Sequence, residues 1–393
     1  MVLSKDNLNF FESNLKDLKR LNLYRYLRIQ NEFRDTNSSE DNLPFINFST
    51  NDYLGLSKHE NLLNLFSSSH FSSVSQCSSR LISGNTPLFE KLEEILSHHR
   101  HTESALIYPT GYMANIGTIS CIANNQTTIF SDEFNHASII DACRLSRAKI
   151  EVFLHNDMFD LENKIKKNDA KRKVIVTEGI FSMNGDMARL DVMSELSSKY
   201  GCILVVDDAH GDFVIGDKSQ TDYGGTASYF KVENEVDVHI SSLSKGLGCF
   251  GGYVACSDLL RNYLINKSRA FIFTSALPDI FCELAYKAVL LANMGDRQKK
   301  LHKNLKYFEE QSKNYTLPGL RFTEDSPIIP LVLGSEEKSL SISDSLLKKG
   351  YFVQPIRYPT VKRNEAQLRI SISAIHTSKQ ISGLLSTLDS LLK

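Results

Sequence analysis

The chain has 393 residues, 41% of them hydrophobic, and a formal net charge of −1. That length supports a large core in more than one domain, and the near-neutral balance gives no electrostatic case for a nucleic-acid partner. No apolar run reaches membrane-spanning length, and the seven scattered cysteines, with no C-x-x-C pair, read as reduced thiols of a cytoplasmic protein rather than a disulfide framework or a metal site.

In chain order, residues 1 to about 30 predict a helix with Phe11, Leu15, Leu18 and Leu21 on one face. Its polar face is not strongly basic, so packing against a second subunit is expected rather than a membrane surface. A polar loop, "NEFRDTNSSED", separates it from "INFSTNDYLGLS", a short strand running into turns. From about 85 to 290, helical patterns alternate with "SALIYPT", "TTIFSD", "KIEVFLH", "KVIVTEG", "CILVVDDAH", "VDVHISS" and "GGYVACS". Short apolar runs separated by helices predict an α/β fold whose mainly parallel sheet is buried on both faces. "HHRH" at 98–101 reads as an exposed helix end carrying basic residues. After about 290 a long charged helix leads into "IIPLVLGS", "YFVQPIRYPT" and "QLRISISA", the pattern of a smaller α+β unit. The expected division is an N-terminal helix and arm (1–50), a large cofactor-binding domain (51–288) and a small C-terminal domain (289–393).

In such sheets ligands sit at the carboxyl ends of the strands. Three predicted strands end in reactive groups: Glu178 and Ser182; Asp207, Asp208 and His210; Ser242, Ser244 and Lys245. Each alone is an ordinary cap or turn residue, but acid, imidazole, hydroxyl and amine delivered to one edge make a site. Gly246, Gly248 and Gly251 spell G-x-G-x-x-G, yet a dinucleotide fingerprint must open a helix, and here a strand follows. The glycines instead read as a hairpin presenting Lys245 beside hydroxyls, which suits a lysine that bonds an aldehyde cofactor. Pyridoxal 5'-phosphate fits the remaining groups. Asp207 would face the ring nitrogen, His210 the phenolic oxygen, and His136 of "DEFNHASIID" the ring face. Thr110, Gly111 and Tyr112 open a helix whose backbone N–H groups would take the phosphate.

The motifs "NDYLGLS", "SRLISGN", "TGYMAN", "NHASIIDA", "HND", "TEGIFSMNGD", "VDDAHG", "SLSKGLG" and "YPTV…LRISISAIHT" span nearly the whole chain. In that order they resemble the α-oxoamine synthases, a family of fold-type I pyridoxal-phosphate enzymes. Its members join a small amino acid to an acyl thioester and release carbon dioxide. The resemblance implies a mainly parallel seven-stranded sheet between helices and a smaller C-terminal α+β domain. It makes Lys245, His136 and Asp207 catalytic, with Gly111, Tyr112, Ser182, His210 and Ser242 as cofactor contacts. Thr274 and Ser275 would reach the phosphate of a neighbouring subunit, implying a homodimer with shared sites. Arg25, Asn51, His136 and Thr360 would line the substrate pocket, and Arg357 would hold the amino-acid carboxylate. "IRYPTV" at 356–361 is most similar to members that use L-alanine and a pimeloyl thioester, carried by CoA or a carrier protein; glycine- and serine-using members are the alternative. Two departures stand out: Phe89 where the family usually has histidine, and Gln76, Cys77 and Ser78 in place of a glycine-rich loop bordering the acyl entry.

Overall fold

The computed structural model describes residues 5–25, 27, 45–68, 73–217 and 223–393. Twelve strands are present among them: β1 (Ile46–Asn47), β2 (Ser104–Tyr108), β3 (Thr127–Asp132), β4 (Lys149–Phe153), β5 (Arg172–Glu178), β6 (Cys202–Asp207), β7 (Val238–Ser242), β8 (Gly252–Cys256), β9 (Ile328–Gly334), β10 (Tyr351–Phe352), β11 (Gln354–Ile356) and β12 (Ala366–Ser371). All seven apolar runs of the central region form strands of one sheet, in the order β2-β8-β7-β6-β5-β3-β4. Only β8 runs against its neighbours, β2 and β7.

The sheet is wrapped because its strands are apolar on both faces. Ile139, Ala142 and Cys143 of helix Ala137–Ser146 pack with Ala114 and Ile119 of helix Gly111–Ile122 on one face. Leu161, Ile165, Leu190 and Met193 of helices Met158–Lys166 and Leu190–Tyr200 cover the other. The C-terminal unit is an antiparallel sheet, β11-β12-β9. β1 pairs with β10, which ties the N-terminal segment to this unit. The expected domain boundary at 288/289 falls inside helix Asp279–Ala292; the chain turns only at Gly295, before helix Asp296–Ser312.

Two expectations need correction. Among the described residues the N-terminal helix spans Lys5–Arg20 and ends well before residue 30; residues 1–4 of the expected helix lie outside the described residues. Asn22 takes a left-handed conformation and the Leu23 N–H donates to the Leu18 carbonyl, which closes the helix and leaves Leu21 and Arg25 beyond it. "HHRH" is not an exposed end: His98 and His101 are exposed, but His99 and Arg100 are buried. Buried acids on other elements, Asp208 and Asp212, draw them inward.

Candidate active site

β7, β6 and β5 lie side by side, so the carboxyl ends holding Ser242, Asp207 and Glu178 are neighbours. The chain from Leu243 to Gly251 is a hairpin between antiparallel β7 and β8, with positive φ at Gly248 and Gly251, as the presenting-loop reading requires. Lys245 projects from this hairpin, its Nζ 3.0 Å from Nε2 of His210. Burial lowers the lysine's proton affinity and Arg369 adds to this, while Asp207 and Glu178 oppose it. Burial also holds His210 well below the usual imidazole range, with Lys245, Arg369 and His136 pushing the same way.

Asp207 is fixed by two donors: Asn115 Nδ2 at 2.6 Å and the Ala209 N–H at 3.1 Å. Glu178 stands behind it, its carboxyl pushed up to about 8 by burial and by Asp207. His136 caps helix Ala137–Ser146, its Nδ1 2.8 Å from the Ser138 hydroxyl, with the ring exposed. Helix Gly111–Ile122 begins against Ser242: a Cβ on Gly111 would lie 2.9 Å from the Ser242 Cβ, and one on Gly252 would lie 2.4 Å from the Gly111 nitrogen. The first-turn N–H groups of Gly111 and Tyr112 thus open beside the Ser242 and Ser244 hydroxyls, which are 2.8 Å apart. N–H groups and hydroxyls so placed form a cradle that suits a phosphate.

The sequence singled out none of Tyr53, Asn115 and Arg369. Tyr53 bonds His210 Nδ1 at 2.6 Å and donates to Asn51 at 3.2 Å. Arg369 donates to Tyr53 at 3.1 Å, to the Ser182 carbonyl at 2.6 Å and to Ser371 at 2.9 Å. All three lie inside matched motifs. An asparagine within an otherwise apolar helical run, where that residue is a poor former, was the available signal for Asn115.

The remaining expected residues form a second cluster. Arg25 donates to the Thr360 hydroxyl at 3.2 Å, and Arg357 donates to the Asn22 carbonyl. With Tyr24, Phe352 and Ile356 these residues line a cleft of about 460 Å³. Arg357 thus joins Arg25, and Arg369 is the arginine beside Lys245 and His210. Thr274 and Ser275 line a small cavity with Arg80 and Phe89, apart from the Lys245 cluster. Phe89 is buried beneath the Arg80 guanidinium, 4.3 Å from its ring centre, and so is a core residue.

"HND" also finds a place. His155 bridges Asp132 (2.9 Å), which opens the turn to His136, and Asp186 (2.5 Å), which follows the turn from Ser182. Burial alone would lower this imidazole; the two carboxylates outweigh it and raise it to about 9. A histidine raised in the folded state contributes stability that is complete below its unfolded pKa, near 6.5, and lost as pH rises through about 9. The contribution is at most about 3 kcal/mol. The melting temperature of wild type should therefore fall toward that of His155→Gln between pH 7 and 10 (roughly the interval between those pKa values); a constant gap would show that the bridge is not ionic.

The pattern of the aminotransferase class I and II family matches residues 44–388, and the chain belongs to that family. The cradle, the lysine and the acid fit pyridoxal phosphate, which is its cofactor. Among curated relatives it is 36% identical to the 8-amino-7-oxononanoate synthase of Thermoanaerobacter pseudethanolicus over 96% of this chain and 95% of the relative. It is 37% identical to that of Lysinibacillus sphaericus over 96% of each chain. It also resembles the same enzyme of Arabidopsis thaliana, at 39% identity over 88% of this chain and 74% of the relative. Among solved structures, one of serine palmitoyltransferase with pyridoxal phosphate superposes with a TM-score of 0.87 at 25% identity over 98% of both chains. The 8-amino-7-oxononanoate synthase of Francisella tularensis gives 0.73 at 27% identity, over 88% of this chain and 98% of that one.

Proposed function

We propose that the chain condenses L-alanine with a pimeloyl thioester, giving 8-amino-7-oxononanoate, the free thiol of CoA or a carrier protein, and carbon dioxide, a step of biotin synthesis. One observation carries this choice. Two arginine sites stand on paired strands of the small sheet: Arg369 on β12 beside Lys245, and Arg357 just after β11 in the cleft with Arg25. Two separate guanidinium sites suit two substrates that each bring a carboxylate. An acyl donor without a free carboxylate has no need of the second.

Bound pyridoxal phosphate supplies the electron sink for breaking the bonds at Cα. Lys245 would hold the cofactor and would serve as the base for the Cα proton; its lowered proton affinity suits that task. Asp207 would keep the ring nitrogen protonated, and His136 would pack against the ring. Gly111, Tyr112, Ser182, His210 and Ser242 would hold the rest of the cofactor. Arg369 has three of its five N–H groups committed to Tyr53, Ser182 and Ser371. Its remaining edge takes the alanine carboxylate, a role sequence resemblance had given to Arg357. Arg25, Arg357 and Thr360 take the acyl donor, and Asn51 lines the amino-acid side through Tyr53.

Assaying alanine, glycine and serine against a short panel of acyl thioesters tests this reading. Turnover is expected with alanine and the pimeloyl thioester; turnover only with glycine or serine and another donor would assign the chain to a different branch. Thr274 and Ser275 lie outside their own chain's Lys245 cluster, which supports a homodimer in which they serve the partner's phosphate. Sedimentation of the active enzyme should give a dimer, and full activity as a monomer would contradict it. Among the described residues no helix is long and apolar enough to cross a membrane, and the cysteines are free, consistent with a cytoplasmic setting.

A further inference from the structure

The buried pair His99 and Arg100 lies behind the Lys245 site. Arg100 Nη1 is 3.1 Å from Asp208 Oδ2 and 2.5 Å from the Gly224 carbonyl. Its Nη2 is 2.9 Å from Asp212 Oδ1, and its Nε donates to the Tyr253 hydroxyl at 3.0 Å. Tyr253 in turn donates to Asp212 Oδ2 at 2.7 Å, and His99 Nε2 is 2.9 Å from Asp212 Oδ1. These groups are almost wholly buried.

The network touches both halves of the site. Asp208 and Asp212 flank His210 on the turn that begins at Asp207, and the Asp212 N–H closes that turn onto the Asp208 carbonyl at 2.8 Å. Tyr253 belongs to β8, the far strand of the Lys245 hairpin. Gly246, next to Lys245, lies so close that a Cβ there would be 2.7 Å from the Asp212 carbonyl oxygen. Glycine at 225 admits the Asp208 carboxylate, since a Cβ would come within 1.9 Å of it.

We propose that Arg100 is a positioning residue: by holding Asp208, Asp212 and Tyr253 together it fixes the turn bearing Asp207 and His210 against the hairpin bearing Lys245. The reading rests on the assignment of those three residues to the cofactor site. It also explains why a guanidinium is used: hydrogen bonds to Tyr253, Asp208 and Gly224 and an ion pair with Asp212, spread over three elements, need a planar fork, which a lysine ammonium cannot supply.

The test uses holoenzyme of wild type, Arg100→Met, Arg100→Lys and Tyr253→Phe. Arg100→Met leaves two buried acids without their cation and risks misfolding; Tyr253→Phe removes only one hydroxyl and keeps the question answerable. The readouts are the pH titration of the bound cofactor's absorbance, kcat and KM for alanine, and the melting temperature. The nitrogen being titrated faces Asp207, Glu178, Arg369 and His210, with His136 nearby. The expected result is a displaced titration midpoint, with kcat down about tenfold to a hundredfold in Arg100→Met, the scale of a small misplacement of reacting groups. Tyr253→Phe should shift the midpoint the same way by less, and KM for alanine should change little. Arg100→Lys should recover part of the loss. Variants that keep midpoint and kcat while only the melting temperature falls would overturn the proposal, and if Arg100→Met does not fold, Tyr253→Phe alone decides. A wild-type protein without any cofactor band would instead refute the functional reading itself.

Discussion

Lys245→Ala should lose both the visible absorbance of bound pyridoxal phosphate and all measurable turnover. In wild type, borohydride should fix the cofactor onto Lys245; in the variant no adduct should form. The expectation rests on position. Lys245 is the amine of the hairpin after β7, beside His210 and facing Asp207 and Glu178. Losing it removes two functions at once, the covalent attachment of the cofactor and the base for the Cα proton. The fold should persist, since alanine at this position leaves the hairpin glycines and the β7–β8 pairing in place. A borohydride-stable adduct on another lysine would overturn the assignment.

Asp207→Asn should retain the cofactor and slow exchange of the alanine Cα proton by about 10- to 100-fold, the effect of losing a charge-assisted hydrogen bond of about 1.5–3 kcal/mol. Asn115 and Ala209 hold the carboxylate in place from two sides. Glu178 is a poor replacement, because burial alone, the largest influence on it, still favours its neutral form once the Asp207 charge is gone. The isosteric amide preserves shape while removing the charge that keeps the ring nitrogen protonated. Near-normal exchange in a deuterated buffer would contradict the role.

Much of this site was legible because strand ends are legible. Runs of four to seven apolar residues mark β5, β6 and β7, and the first polar residues after each are forced to the same edge of the sheet. The helix opening at Gly111 was legible for the same local reason: Thr110 accepts from the Met113 N–H at 3.1 Å as an N-cap. What escaped was set by partners distant in sequence. His99 and Arg100 close the amphipathic helix Pro87–His99 and are basic, so locally they belong in water; Asp208 and Asp212, more than 100 residues on, take them inside. Arg357 and Arg369 illustrate the same limit. Both sit on or beside strands of the small sheet, and only the fold shows that Arg369 meets Tyr53 and Ser182 while Arg357 joins Arg25. The N-terminal helix was overextended because its apolar face continues to Leu21, while the left-handed turn at Asn22 that ends it has no periodic signal.

The central claim is that this member of the aminotransferase class I and II family uses its lysine to condense and decarboxylate rather than to move an amino group. The most direct measurement supplies L-alanine labelled in its carboxyl carbon together with a pimeloyl thioester, and follows the label. The account predicts labelled carbon dioxide released in step with free thiol, one for one, and an unlabelled amino-ketone acid as product. Label recovered in pyruvate, or thiol released without carbon dioxide, would contradict it.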